Sequence, residues 1–112
     1  MTRLSSGREM KYHSVRTWSE LCGRFFASKA EARRGEELHL LQLADEIEDL
    51  RYQERFVLSK SPNEKVSITV DFIYLENGKR VLEDVKGIET REFRVKRIWL
   101  KQLTGIDIKL TK

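Results

Sequence analysis

Two runs of alternating apolar and polar residues flank the dipeptide Asn77-Gly78 and predict a β-hairpin over residues 66–86. Asn-Gly is the dipeptide that most favours a two-residue type I′ turn, because both of its central residues need a positive φ. Such a turn pairs Glu76 with Lys79 and thereby fixes the register of every later pair. The pairing between the two strands is thus predicted residue by residue.

The even-numbered positions of the first strand of this hairpin, with the residues opposite them on the second strand, predict a single core face, since side chains alternate along a strand. The apolar residues on that face are Val66, Ile68, Val70, Phe72, Tyr74, Val81 and Val85. Glu83 is an exception, because the register places it opposite Phe72. Only a local bulge would turn it to the other side.

A helix is predicted from Ser28 to about Asp49. Ser28 and Glu31 form a capping-box pattern at its start, and helical spacing gives it an inner stripe of Leu40, Leu43, Ala44 and Ile47. Since Leu38 and Leu41 point to a second side, we expect this helix to be covered on both sides.

A second helix is predicted from Thr90 to Leu103, with Gly105 just after it in the usual stop position. Its expected inner side consists of Val95, Ile98, Trp99 and Gln102. Another side carries Arg94, Arg97 and Lys101.

The remaining strands are predicted at Leu50–Lys60, which Pro62 follows, and at 106–110. The resulting order is helix, three strands, helix, strand, which indicates an α/β fold with a mixed sheet flanked by helices. Residues 1–10 are expected to be a flexible basic tail, and residues 11–112 a single domain. Residues 11–27 show no clear pattern, although their large apolar side chains, Trp18, Leu21, Phe25 and Phe26, are expected to pack.

Composition narrows the possible classes of protein. Cys22 is the only cysteine, so an internal disulfide is impossible, and one Cys with two His lacks zinc-ligand spacing. No apolar run approaches the roughly 20 residues of a membrane span, and the first residues do not resemble a signal peptide. We therefore expect a cytoplasmic protein that contacts no membrane.

Charge is distributed unevenly along the chain. Residues 1–34 carry eight Lys/Arg and three acidic residues, residues 35–54 carry seven acidic residues and one Arg, and residues 55–112 carry thirteen Lys/Arg and eight acidic residues. Two basic ends that enclose an acidic middle suggest a surface for nucleic acid. The alternative is that the acidic residues simply solvate an exposed helix face.

Asp71 and Asp84 fall opposite each other in the predicted hairpin, and Lys86 projects beside them. Cβ atoms of such a pair lie about 4.5–5.5 Å apart, and like charges so placed are destabilising. Two carboxylates suffice to bind Mg²⁺ or Mn²⁺ together with a phosphate and water. Lys86 then stabilises the transition state or holds the attacking water. The alternative is that Lys86 only neutralises an acidic pair.

Other candidates surround this pair. Glu31 is a further catalytic and metal-binding candidate, although the capping box alone would explain it. Gln53 and Lys96 are possible additional contacts. The residues expected to contact DNA phosphates are Lys11, Arg16, Lys29, Arg33, Arg34, Arg94, Arg97 and Lys101; an ordinary solvated helix face is the alternative for the last three.

This combination resembles the PD-(D/E)XK nuclease superfamily, in which an acidic residue at a strand end is followed by (Asp/Glu)-x-Lys on the next strand. Here the motif is Val70-Asp71-Phe72 and Asp84-Val85-Lys86, with Glu31 upstream on a helix. The resemblance implies a restriction-endonuclease-like αβββαβ core and a metal-dependent nuclease.

A closer resemblance, from about Lys11 to the C-terminus, is to small phage-type Holliday-junction resolvases of this superfamily. Four segments carry it, namely 28–34 (SKAEARR), 49–53 (DLRYQ), 83–87 (EDVKG) and 90–94 (TREFR). It implies a homodimer, working in the bacterial host cytoplasm if phage-encoded, that nicks four-way DNA junctions symmetrically. Two positions depart from the usual motif: Val70 replaces Pro, and Asp84 replaces the commoner Glu.

Three alternatives remain open at this stage. One is a replication, restriction or transposition nuclease that cuts ordinary duplex DNA. The second is a DNA-binding module that kept the fold and lost the chemistry. The third is a structural or accessory protein whose charge pattern is incidental.

Overall fold

The computed structural model describes residues 15–112, so the predicted tail at 1–10 lies outside the described residues. Its elements in chain order are β1 (Thr17–Ser19), β2 (Arg24–Phe26), α1 (Lys29–Leu43), β3 (Glu48–Val57), β4 (Ser67–Glu76), β5 (Lys79–Val85), α2 (Arg91–Thr104) and β6 (Ile108–Thr111). The main sheet has the order β3-β4-β5-β6, with β5 and β6 parallel and the other pairs antiparallel. The predicted α/β class and αβββαβ order are confirmed, and the architecture is compatible with a restriction-endonuclease-like core.

The hairpin β4–β5 has the predicted turn and register. Asn77 and Gly78 have φ values of 54° and 77°, as a type I′ turn requires. The pairs run from Glu76 with Lys79 to Phe72 with Glu83. Glu83 therefore stays beside Phe72 without an intervening bulge.

Helix α1 ends at Leu43, so the prediction that it reaches about Asp49 is wrong. Asp45 adopts a left-handed conformation with φ 61°. Its amide donates to the Gln42 carbonyl, and the Glu46 amide donates to the Leu41 carbonyl. This is the Schellman pattern, which usually has glycine at the left-handed position. Because aspartate also tolerates this conformation, the chain reverses here and β3 starts earlier than expected.

The prediction that α1 is covered on both sides is also wrong. Leu40 and Leu43 are 54% and 67% exposed, whereas Leu38 is fully buried. The buried side of the helix carries Glu31, Ala32, Gly35 and Leu38, because β1, β2 and the sheet pack on that side. The helix is thus covered on one side within the described residues.

Helix α2 has the predicted bounds within one residue, but a different inner side. Thr90 caps its start by accepting a hydrogen bond from the Phe93 amide, and Gly105 ends it with φ 79°. Leu100 is buried, whereas Val95 and Ile98 are more than half exposed. No helix among residues 15–112 is both long and apolar enough to cross a membrane.

The core consists of two clusters on opposite faces of the sheet, so the prediction of one continuous even-numbered face is wrong. Ile68 and Val70 pack with Leu100 of α2, whereas Phe72 and Tyr74 pack with Leu38 of α1. All four strand positions are even-numbered, so the side-chain alternation of β4 must shift between Val70 and Phe72. Asp71 lies at that shift.

The strands β1 and β2 form a small antiparallel hairpin that the sequence pattern did not reveal. The expectation that its large side chains pack is confirmed for Phe26, which is 3% exposed. It is wrong for Trp18, Leu21 and Phe25, which are 43–47% exposed. Strands of three residues are too short to give a period-2 signal.

We expect the substitution Gly105→Ala to lower the free energy of unfolding by about 1 to 2 kcal/mol, since an L-residue is strained at positive φ. Gly87→Ala is the matched control, because a Cβ added at either glycine meets nothing within 4 Å and Gly87 has no positive φ. Urea denaturation of both variants measures the difference. Equal losses would contradict a conformational role for Gly105.

Candidate functional site

Asp71 on β4 and Asp84 on β5 hold each other in place where the hairpin ladder stops. The paired register continues from the turn to Phe72 and Glu83. One residue further, Asp84 Oδ1 accepts a hydrogen bond from the Asp71 amide at 2.6 Å, and Asp71 Oδ2 accepts one from the Val85 amide at 3.0 Å. Each carboxylate supplies an acceptor that a strand carbonyl would otherwise provide. The predicted adjacency of the two acids is confirmed.

The second oxygen of each aspartate is directed away from the backbone. Asp71 Oδ1 accepts a hydrogen bond from Gln53 Nε2 at 3.2 Å, and Asp84 Oδ2 lies 3.7 Å from Lys86 Nζ. Since an ionised carboxylate has about four lone-pair sites, both oxygens retain capacity for a cation or a proton.

Gln53 on β3 joins Asp71 to Glu31 of α1. Its Nε2 atom donates to Glu31 Oε2 at 2.9 Å as well as to Asp71. Gln53 has φ 53°, a conformation that is uncommon outside glycine, and its side chain reaches the α1 side of the sheet. The possible contact of Gln53 with phosphate or water stays a prediction.

Glu31 reaches the site because α1 begins beside it. Its amide donates to Ser28 Oγ at 3.1 Å, so the predicted helix cap is confirmed. Its carboxylate accepts the Gln53 hydrogen bond instead of turning back to the cap, and the residue is only 6% exposed. The capping box therefore explains Ser28 but not the position of the Glu31 carboxylate. We call Glu31, Asp71 and Asp84 the acidic cluster.

The three acids of this cluster resist ionisation together. Burial, followed by the charges of Asp71 and Asp84, raises the pKa of Glu31 from 4.5 to about 7. Burial and the charge of Asp71 raise the pKa of Asp84 from 3.8 to about 6, and burial also raises the pKa of Asp71. The folded protein thus gathers more carboxyl groups in this small volume than its own cations can neutralise once they ionise, and such clustered pKa shifts are typical of functional sites.

Lys86 is the basic residue beside the acidic cluster. Its Nζ atom lies 3.7 Å from Asp84 Oδ2 and 4.4 Å from the centre of the Phe93 ring on α2. The ring face attracts a cation, so the lysine is held between the aromatic ring and the carboxylate. Lys86 contributes one positive charge against three acids, so a purely neutralising salt bridge accounts for only part of the arrangement.

The donor chemistry of the cluster fits a hard divalent cation. Among residues 15–112, no three His, Cys, Asp or Glu side chains are gathered closely enough to enclose a metal by themselves. Mg²⁺ commonly takes only one or two carboxylates and completes its shell with water and substrate phosphate. Asp71 and Asp84 provide that number, and Glu31 stands behind Gln53 as a third oxygen donor.

A cavity of about 380 Å³ opens beside the cluster. It is lined by Arg16, Phe25, Phe26, Ala27, Glu31, Gln53 and Asp71. Its lining therefore combines aromatic and cationic side chains at the β1–β2 hairpin with two members of the acidic cluster.

Arg24 was missed in the sequence analysis. Its guanidinium lies 4.3 Å from the Tyr52 ring centre and 5.5 Å from that of Phe26. Its Nε atom is buried and has no hydrogen-bond partner in the described part of the chain. Its charge partly offsets the raised pKa of Glu31. No sequence signal marked it, because its proximity to Glu31 depends on the fold of the short hairpin.

Glu83 is a buried acid outside the acidic cluster, and its surroundings are entirely structural. Arg34 Nε and Nη2 donate to its two oxygens at 2.6 and 3.2 Å, and Tyr74 and Thr111 donate at 2.7 and 3.0 Å. Burial opposes its charge, but these hydrogen bonds prevail and hold its pKa below the ordinary 4.5. This explains a charged residue on the core face.

The network around Glu83 gives Arg34 internal partners, and its contact with DNA stays a prediction. The Arg34 guanidinium also contacts Glu37 at 3.3 Å and is committed to these internal partners. Lys29 and Arg33, near the start of the same helix, are exposed, and their contact with DNA stays a prediction.

The basic side chains of α2 are partly paired. Arg97 bonds Glu89 and Asp107, Arg94 lies 3.6 Å from Glu89, and Lys101 lies 3.9 Å from Asp107. Of these, Arg94 and Lys101 are more than half exposed along their side chains, whereas Arg97 is 25% exposed.

The other candidates for contact with DNA do not belong to the group formed by Arg94, Arg97 and Lys101. Lys96 lies 4.0 Å from Glu92, and Arg16 lies in the wall of the cavity. Lys11 is outside the described residues. All these DNA contacts stay predictions.

We expect metal-free protein to lose stability as pH rises from about 5 to 8. Glu31 and Asp84 bind protons more tightly in the folded than in the unfolded chain, so each titration across this window favours unfolding. Glu31→Gln should flatten this slope and raise the unfolding free energy at pH 8 by roughly 3 to 4 kcal/mol, since the pKa of Glu31 is raised from 4.5 to about 7 and each pKa unit is worth roughly 1.4 kcal/mol. Urea denaturation in EDTA at several pH values measures it.

The exposed acid Glu46 provides the control for that experiment. Glu46→Gln should leave the slope unchanged. If Glu31→Gln kept the wild-type dependence of stability on pH, the raised pKa of Glu31 would not be the cause of that dependence.

We expect Arg34→Met to lower the free energy of unfolding by about 3 to 5 kcal/mol, because it leaves the buried charge of Glu83 unpaired. Glu37→Gln removes only the exposed partner of Arg34 and should cost little. Chemical denaturation compares the two, and adding Glu83→Gln to Arg34→Met should recover part of the loss. Equal effects of Arg34→Met and Glu37→Gln would contradict the buried network.

The sequence was compared with known proteins. No curated protein and no solved structure matches it. A family model described as "Protein of unknown function (DUF1064)" matches residues 9–111. Because this match includes both strands of the acidic pair, the helix with Glu31 and nearly all of the remaining sequence, the chain belongs to the DUF1064 family.

Proposed function

We propose that this protein is a metal-dependent DNA endonuclease, and that its preferred substrate is a four-way Holliday junction. The observation that carries the proposal is the convergence of Glu31, Asp71, Asp84 and Lys86 from three separate elements. Raised pKa values at adjacent carboxylates beside an open cavity favour a functional role over a structural one.

Each residue of the site has a role in this proposal. Asp71 and Asp84 would hold Mg²⁺ or Mn²⁺ through the oxygens that their backbone bonds leave free, with Glu31 as a further donor. The cation, when bound, polarises the scissile phosphodiester as a Lewis acid. Lys86 stabilises the negative charge that develops on the phosphate, or orients the attacking water.

A junction substrate also agrees with the distribution of charge and apolar surface. Paired nicks in a two-fold symmetric junction suit a homodimer. Among the described residues, Leu40 and Leu43 on α1 and Val95 and Ile98 on α2 are exposed apolar residues that a partner copy can cover. DNA of this kind would be met in the cytoplasm of a bacterial cell.

The decisive experiment uses a labelled four-way junction and a linear duplex of the same sequence, each with Mg²⁺ or EDTA. We expect paired nicks near the crossover only with metal. Asp71→Asn and Asp84→Asn should lower the cutting rate by at least roughly 100-fold while junction binding persists, because even residues behind metal ligands cost 10–100-fold when changed. An asparagine oxygen can still accept the backbone hydrogen bond, so the hairpin should remain intact.

Asp45→Asn is the matched control, because Asp45 is exposed and asparagine tolerates its left-handed conformation. It should cut at the wild-type rate. Wild-type cutting by either site variant would remove the site assignment. Equal cutting of duplex and junction would favour a general duplex nuclease, and retardation in a gel without cutting would favour a binding module.

A further inference from the structure

The β1–β2 hairpin is fixed against the helix that carries Glu31. Ser19 Oγ donates to Glu36 Oε2 of α1 at 2.6 Å and also accepts from the Cys22 amide. Phe26 is buried against Gly35, where an added Cβ would lie 2.6 Å from the Phe26 ring. The close approach of ring and helix depends on this glycine, so the hairpin has a defined position beside the acidic cluster.

Within the described residues, the outer face of this hairpin is aromatic and about half exposed. Trp18 and Phe25 are direct cross-strand neighbours whose ring centres lie 4.9 Å apart. They remain 47% and 45% exposed. The guanidinium of Arg16 lies 3.9 Å from the Phe25 ring centre. An exposed pair of aromatic rings with a cation stacked on one of them differs from an ordinary apolar contact surface.

This face borders the cavity that contains the proposed chemistry. Phe25 and Arg16 line that cavity together with Glu31 and Asp71. A nucleotide bound there would meet aromatic rings on its base side, a cation near its phosphate and the acidic cluster ahead of it. The base of a fully paired duplex is stacked on its neighbours and has no free face for such a ring.

We propose that Trp18, Phe25 and Arg16 form a stacking platform for an unpaired base next to the phosphate that is cut. This inference rests on the proposed nuclease function and refines its substrate to DNA with unpaired or unstacked bases at a branch point. Base–aromatic stacking tolerates any sequence, so the platform selects branch structure rather than sequence. The exposed aromatic surface of the two rings fits a base, and Arg16, which lies on the Phe25 ring, supplies the complementary charge for its phosphate.

The test uses the fluorescence of Trp18 in the full chain carrying Trp99→Phe, which leaves a single tryptophan. Titrations in EDTA compare a blunt duplex with the same duplex extended by one single-stranded arm. We expect the armed DNA to quench the emission and the blunt duplex to leave it nearly unchanged. Equal responses to the two DNAs would overturn the proposal.

Affinity measurements on variants provide the second readout. Trp18→Ala and Phe25→Ala should each weaken binding of the armed DNA by roughly five- to a hundred-fold, the range for one lost stacking contact. Trp18→Phe should restore most of the affinity. Leu103→Ala is the matched control, since Leu103 is 49% exposed and lies on α2 outside the platform. Unchanged affinity in both alanine variants would overturn the proposal.

The same variants separate this proposal from its competitors. Sedimentation compares their oligomeric state with that of the wild type, and dissociation of a dimer by Trp18→Ala would identify the face as a self-association surface instead. Because Trp18 and Phe25 are half exposed, both alanine variants should keep wild-type urea denaturation. Cutting of DNA by the wild-type protein with Mg²⁺ tests the nuclease function separately. If the wild-type protein cuts DNA but does not bind the armed DNA more tightly than the blunt duplex, the platform is refuted and the nuclease function is not.

Discussion

The structure depends on one pair of crossed hydrogen bonds, in which Asp71 and Asp84 each accept a backbone amide of the opposite strand. Backbone amides at a buried position need acceptors, so these carboxylates are built into the sheet itself. The bonds bring together two negative charges that repel each other. The same bonds fix one oxygen of each acid and leave the other directed toward Gln53 or Lys86. Gln53 and Lys86 each approach the oxygen that this arrangement leaves free.

A comparison of Glu83 with Glu31 separates structural from functional burial of charge. Both are almost fully buried glutamates. Arg34 and two hydroxyl donors surround Glu83, and its pKa is lowered. Glu31 has one amide donor and faces other acids, and its pKa is raised to about 7. The protein can therefore satisfy a buried carboxylate fully, which makes the unsatisfied cluster a specific feature rather than a general tolerance of poor packing.

The elements that sequence predicted well are those whose cause is local. The turn at Asn77-Gly78 fixes the hairpin register, and Ser28 and Thr90 fix two helix starts. The failures have non-local causes. Whether Leu38 or Leu40 is buried depends on what packs against α1. The partnership of Arg34 with Glu83 likewise joins residues that are far apart in sequence. The acidic cluster could be predicted in part because two of its members share one hairpin, whereas Arg24 could not.

The position of the cluster also follows from the shift in β4. A regular strand would keep Val70 and Phe72 on one face, but they pack into different cores. The sheet can change its buried face here because Gln53 adopts a left-handed conformation beside Asp71. Both layers of helices thereby meet the sheet near one point. Glu31 arrives from α1, and Phe93 of α2 reaches the same point to hold Lys86. An irregularity that costs backbone energy is thus what allows groups from both faces of the sheet to meet beside Asp71.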